Sequence, residues 1–213
     1  MADGAIEVLL DVAFQNNADC VQGSFDRFSE SGIKAGCTYP NSKADAKSNI
    51  AGFPWGKVFK SELWNGVCFP EKYWYEDTVI RNIVSFKIKV YHTISDIVYL
   101  YRKNMEGISI SAQGKPKSVD TLWVYLRCYK DQQTLGFKWE QSDFESLLRH
   151  TSLGEVRLSS LDIKIRKAAF TVWRHFVIER SKEFLLPKDR NLFELEKALL
   201  YGKYKRFRLI ANL

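Results

Sequence analysis

The sequence predicts an α/β fold over residues 1–118 and a helical region over residues 119–213. Three observations predict it. Ile6, Leu9, Leu10, Ala13 and Phe14 recur at helical spacing and are followed at once by the strand-like Cys20-Val21-Gln22-Gly23-Ser24-Phe25. Ile97-Val98-Tyr99-Leu100 is an unbroken apolar run, the pattern of a buried strand. From Val119 onward the apolar spacing is mainly helical, and Gly114-Lys115-Pro116-Lys117-Ser118 reads as a linker.

Taken in order, Asp3-Gly4 offers turn chemistry ahead of a helix over residues 5–16, and Asn16-Asn17 ends it. A strand so soon after a first helix implies that the chain opens in the middle of an α/β unit. Residues 29–50, rich in Ser, Gly, Lys, Asn and Asp, read as a mobile surface loop. A short helix is expected over Lys57–Trp64, stopped by Asn65-Gly66. Phe69-Pro70 is extended, because proline restricts its predecessor. Asp77 to Phe86 reads as a helix with Ile80, Ile83 and Val84 inward, and Lys89–His92 and Asp96–Arg102 as two short strands. Gly107-Ile108-Ser109 begins a polar stretch. Four helices follow, over Val119–Asp131, Asp143–Arg149, Leu161–Phe184 and Leu192–Tyr201, with Pro187 and Gly202 closing the last two.

Composition narrows the function classes. Of 213 residues, 46% are hydrophobic and 27% charged, a globular balance rather than a disordered one. The net charge of +7 points to an anionic partner, which is a nucleic acid, a membrane surface or a phosphorylated ligand. Its excess is most visible in Lys203-Tyr204-Lys205-Arg206-Phe207-Arg208. Nucleic acid ranks last, because no zinc-finger or RNA-recognition signature occurs and the cations are spread around helices. Cys20, Cys37, Cys68 and Cys128 stand far apart without a C-x-x-C pair, which excludes zinc-ribbon and thioredoxin readings. Reduced thiols, the absence of an apolar run of ~18 residues, and a start without a signal-peptide core make the cytoplasm the expected location. The cations interleaved along residues 161–184 also suit peripheral contact with an anionic inner membrane face; packing on its own domain is the plainer alternative. His92, His150 and His175 lack the spacing of a zinc site, so no metal is assigned to them.

The residues that suggest chemistry are Glu76 and Asp77, framed by Trp55, Lys57, Trp74 and Tyr75. Carboxylates in a first helical turn meet the positive end of the macrodipole. The ionised form is favoured there, which suits accepting a proton. The plainer reading is an ordinary acidic first turn. Trp55 is either a flat face for a ring-shaped substrate or a hydrophobic anchor. Lys57 is either a ligand contact or a surface cation.

Pro54-Trp55-Gly56-Lys57-Val58-Phe59-Lys60, Phe69-Pro70, Tyr75-Glu76-Asp77 and Tyr99-x-Tyr101-Arg102 follow one another in an order and spacing that resembles bacterial family 2 glycosyltransferases. Gly107-Ile108-Ser109 looks like the turn that follows in that family, and the opening resembles its helix and strand after the metal site. The resemblance covers residues 5–111. It implies a partial GT-A fold, the acceptor-side half with a mixed sheet, followed by the helical region. It implies an inverting transfer of sugar from a nucleotide-sugar donor to a glycan or lipid-linked hydroxyl acceptor, in cell-surface polysaccharide or glycoconjugate synthesis. Asp77 would be the base and Glu76 would position it. Trp55 and Lys57 would shape the acceptor side, and Arg102 and Ser109 would lie near the donor diphosphate.

The family's nucleotide-binding first half is missing, and no Asp-x-Asp motif for its divalent metal (Mg or Mn) occurs in this sequence. The expectation is therefore a truncated form, with apolar surface and a sheet edge left open to self-association or a partner chain. A non-catalytic binding or scaffold module is the competing reading.

Overall fold

A computed structural model describes residues 1–29, 32–102, 104, 107, 112 and 114–213. These residues form an α/β structure of two compact units. The first comprises residues 1–72, 76–105 and 127–135, the second residues 73–75, 106–126 and 136–213.

The first unit is built on β1 (Cys20–Ser29) and β5 (Tyr91–Arg102), which run parallel. β2 (Gly32–Cys37) and β4 (Lys57–Phe59) pair antiparallel with β1, and β3 (Ser42–Ala44) antiparallel with β5. The sheet order is β2-β1-β5-β3, with β4 also on β1. Successive strand residues point to opposite faces, so neighbours in β1 enter different cores. Val21 joins Ile94 and Val98 under Ala5 and Leu9 of α1 (Ala5–Gln15). Cys20 joins Tyr91, Ile80 and Ile50, beside Ala46 of α2 (Ala46–Asn49).

Several expectations are corrected here. Residues 29–50 were expected as a loop, yet most of them are ordered as β2, β3 and α2. Their polar residues read as loop composition, but they serve as structural partners. Asp45 caps α2 by accepting from Ser48 N at 2.9 Å, and Asn41 accepts from Ser95 N at 2.6 Å. The helix expected over Lys57–Trp64 is strand β4 followed by a 3₁₀ turn, Ser61–Trp64. Pairing of Val58 with Val21 and of Phe59 with Cys20 overrides the local pattern. The two short strands expected near residues 89–102 are the single strand β5. Its register against β1 shifts around Ser24, whose hydroxyl donates to the Ile94 carbonyl at 3.0 Å. The helix expected from Asp77 to Phe86 is present over residues 78–87, with its middle, Ile80–Val84, π-helical and its end α3 (Ser85–Lys87).

The second unit is helical, with a core of Phe144, Leu147, Leu148, Trp173, Leu195, Leu199 and Phe207 among others. Its helices are α5 (Gln141–Arg157), α6 (Ile163–Arg180), α7 (Arg190–Leu200) and α8 (Tyr204–Ala211). The boundary between the units falls inside α4 (Asp120–Thr134). A capping box of Glu140 and Asp143 starts α5, and Asp162 and Asp189 cap α6 and α7. The expected Asp143–Arg149 segment was too short, because its apolar pattern continues to the buried Leu158. The last helix, α8, was read only as a basic run; buried Phe207 and Ala211, four residues apart, give it a core face.

Candidate aromatic and carboxylate site

In open α/β sheets, ligands bind beyond the carboxyl ends of parallel strands. Here those ends carry aromatic residues. Tyr99 and Tyr101, two apart on β5, share one face of the sheet, and Phe25 on β1 stands opposite Tyr99. Gly56, with φ 68°, turns the chain from Trp55 into β4, and its carbonyl accepts from Gly23 N at 3.0 Å. Trp55 is thereby laid onto the strand. Its ring stacks with Phe53 at 3.7 Å between centres, with Tyr99 at 4.3 Å and with Tyr101 at 5.2 Å, all within 23° of parallel. Phe25 meets Trp55 edge-on at 4.9 Å. Such pairs each add about 1 kcal/mol beyond burial, so the stack is a stiff platform.

Lys57 is not the surface cation that was one alternative. It is 8% exposed. Its Nζ donates to the Phe53 carbonyl at 2.7 Å and to the Trp55 carbonyl at 3.4 Å, and lies 3.8 Å from the centre of the Phe53 ring. Burial pulls its pKa down to about 7, while negative charge at Cys20 and Asp77 acts the other way. Burial also pushes the Cys20 thiol up to about 12. Near neutral pH the Cys20 thiol therefore stays protonated.

Glu76 and Asp77 are half-buried. They form the turn into the π-helical segment, and their carbonyls accept from Val79 N at 3.2 Å and Ile80 N at 3.0 Å. A π-turn widens the helix and disturbs its ladder, a feature frequent at functional sites. Gln132 answers the disturbance by donating to the Asn82 carbonyl at 2.6 Å, while Asn82 Nδ2 bonds the Thr78 carbonyl at 2.8 Å. Sequence reasoning missed Gln132, since a lone glutamine 50 residues away carries no local signal.

The structure gathers Trp55 with Tyr99 and Tyr101, and Lys57 holds the carbonyls of the loop that carries Trp55. Arg102 is exposed at the end of β5, in register with Phe28. Ser109 lies outside the described residues. Trp74 and Tyr75 belong to the second unit. Trp74 N donates to Asp120 at 2.8 Å, and Tyr75 holds φ 63° with the Arg157 guanidinium 3.9 Å over its ring. That φ is strained for a bulky residue.

No protein-family model matches the chain, and no curated protein matches it. Solved structures do. Residues 1–349 of TarS from S. aureus, in complex with UDP-GlcNAc, match with a TM-score of 0.67 and 14% identity, over 98% of this chain and 63% of that one. The same TarS segment without the ligand gives 0.63 and 16% identity, over 98% and 61%. Its complex with UDP gives 0.62 and 13% identity, over 97% and 61%. This chain therefore has an α/β fold that it shares with part of the TarS segment. It spans less than two thirds of the TarS chains it matches.

Proposed function

We propose that this chain is the acceptor-side part of an inverting, family 2-like glycosyltransferase. The observation that carries the reading is an aromatic platform of Trp55, Tyr99 and Tyr101 at the carboxyl end of β5, in a fold shared with part of TarS. In this reading a nucleotide sugar is the donor and a hydroxyl of a glycan or lipid-linked acceptor is the nucleophile. The acceptor oxygen attacks the anomeric carbon opposite the leaving group. The bond to the diphosphate breaks with its electron pair, and the acceptor proton passes to the Asp77 carboxylate. Glu76 orients Asp77, the Trp55 platform lines the acceptor side, and Arg102 and Ser109 stabilise charge on the departing diphosphate.

The residues present do not fit the divalent metal (Mg or Mn) that the family resemblance implies. The sequence has no Asp-x-Asp, and among the described residues no three His, Cys, Asp or Glu cluster to hold an ion.

Titration of the chain with UDP-GlcNAc, with and without Mn²⁺, tests the reading. Saturable binding supports it. Absence of binding in both conditions favours the scaffold module instead, a reading motivated by the chain's span of less than two thirds of TarS.

A further inference from the structure

Everything the Lys57 ammonium reaches in its loop belongs to one short segment. Two of its contacts are the carbonyls of Phe53 and Trp55, and another is the Phe53 ring. An ammonium has three donors and no acceptor, so this head group is largely occupied by its own chain. Burying such a charge costs desolvation that an apolar side chain of similar length would avoid. Charge-assisted bonds to carbonyls are about twice as strong as neutral ones and fix direction. The segment they fix is the one that lays Trp55 onto Tyr99 and Tyr101.

We propose that Lys57 is a positioning residue: it fastens the Phe53–Trp55 loop, and with it the Trp55 ring, onto β5, without touching a ligand itself. What the positioned groups do rests on the function proposed above; the clamp does not.

The clamp is tested without substrate. Near-UV circular dichroism of the wild type minus Trp55→Phe isolates the stack. Lys57→Met is expected to lose at least half of that difference signal, and Lys57→Arg to retain more of it than Lys57→Met. A full wild-type signal in Lys57→Met overturns the proposal. A second measurement leaves Lys57 in place. NMR titration of ¹³C-labelled lysines is expected to show one lysine with a midpoint near neutral pH, as burial of its ammonium against the loop carbonyls requires. Lysines that all titrate in their ordinary range overturn the burial on which the clamp rests. With UDP-GlcNAc as the turnover probe, Lys57→Met should lower kcat about tenfold or more while KM for the nucleotide sugar stays within about twofold. Equal effects on kcat and KM overturn the positioning role. A wild type without turnover counts against the proposed function and leaves the two spectroscopic results to decide the clamp.

Discussion

The rings of Phe53 and Trp55 lie 3.7 Å apart and 8° from parallel, two residues apart in one loop. The loop is therefore a packed element, fixed from above by stacking and from below by Lys57. Trp55→Ala is expected to cost roughly 3 kcal/mol, toward the low end for aromatic truncation because Trp55 is only half-buried. Trp55→Phe should cost about 1 kcal/mol, since a ring remains to stack. Urea denaturation followed by far-UV circular dichroism measures both.

Lys57 makes stability depend on pH in a defined direction. Its folded pKa of about 7 lies below its ordinary value of 10.5. Between those values the unfolded chain holds the extra proton, so stability rises with pH, by up to about 1.4 kcal/mol per pH unit. Above about pH 8.5 the buried Cys20 and Cys128 thiols, both pushed up to about 12, begin to act the opposite way. Urea unfolding between pH 7 and 8.5 should show the rise in wild type and its loss in Lys57→Met.

Gly23 sits in the interior of β1 because Val98 on β5 leaves no room for a side chain. A Cβ there would lie 2.4 Å from Val98 Cγ2. Gly23→Ala is expected to destabilise by roughly 2 kcal/mol through overpacking. The same change in a Val98→Ala background should cost less, since the obstructing methyls are gone. Equal costs in both backgrounds, read by thermal unfolding, would show that the two sites do not couple.

In the helical unit, the buried Glu155 accepts from Arg166 and from the Tyr204 hydroxyl, the latter at 3.2 Å. Arg166→Leu should cost about 3 kcal/mol because it leaves a buried carboxylate without its cation. Glu155→Leu with Arg166→Leu should recover much of that loss. A double-mutant cycle by denaturant unfolding checks it.

The two-part division of the chain into strand-bearing and mainly helical stretches was visible in apolar periodicity, which long elements such as α1 and α6 express strongly. Short strands were not. β3 and β4 hold three residues each and exist through pairing with Thr93 and Val21, partners that are distant in sequence. Residues 42–49 look like a loop because Ser42, Asp45 and Asn49 are polar, while their hydrogen bonds make them structural. Within the candidate site, Trp55 and Asp77 stood out by residue type and motif order. The burial of Lys57 had no local signal, since Lys57-Val58-Phe59-Lys60 presents two lysines that read alike. β4 turns Lys57 into the interior and leaves Lys60 outside, where it pairs with Asp19 at 2.9 Å. Strand alternation alone cannot separate them until the neighbouring strand is known.

The most direct measurement compares UDP release from UDP-GlcNAc by the wild-type chain and by Asp77→Asn. With Asp77 as the base, the substitution lowers the rate about 10²- to 10⁴-fold and leaves affinity for the nucleotide sugar unchanged. A wild type that releases no UDP, or Asp77→Asn working at the wild-type rate, contradicts the assignment.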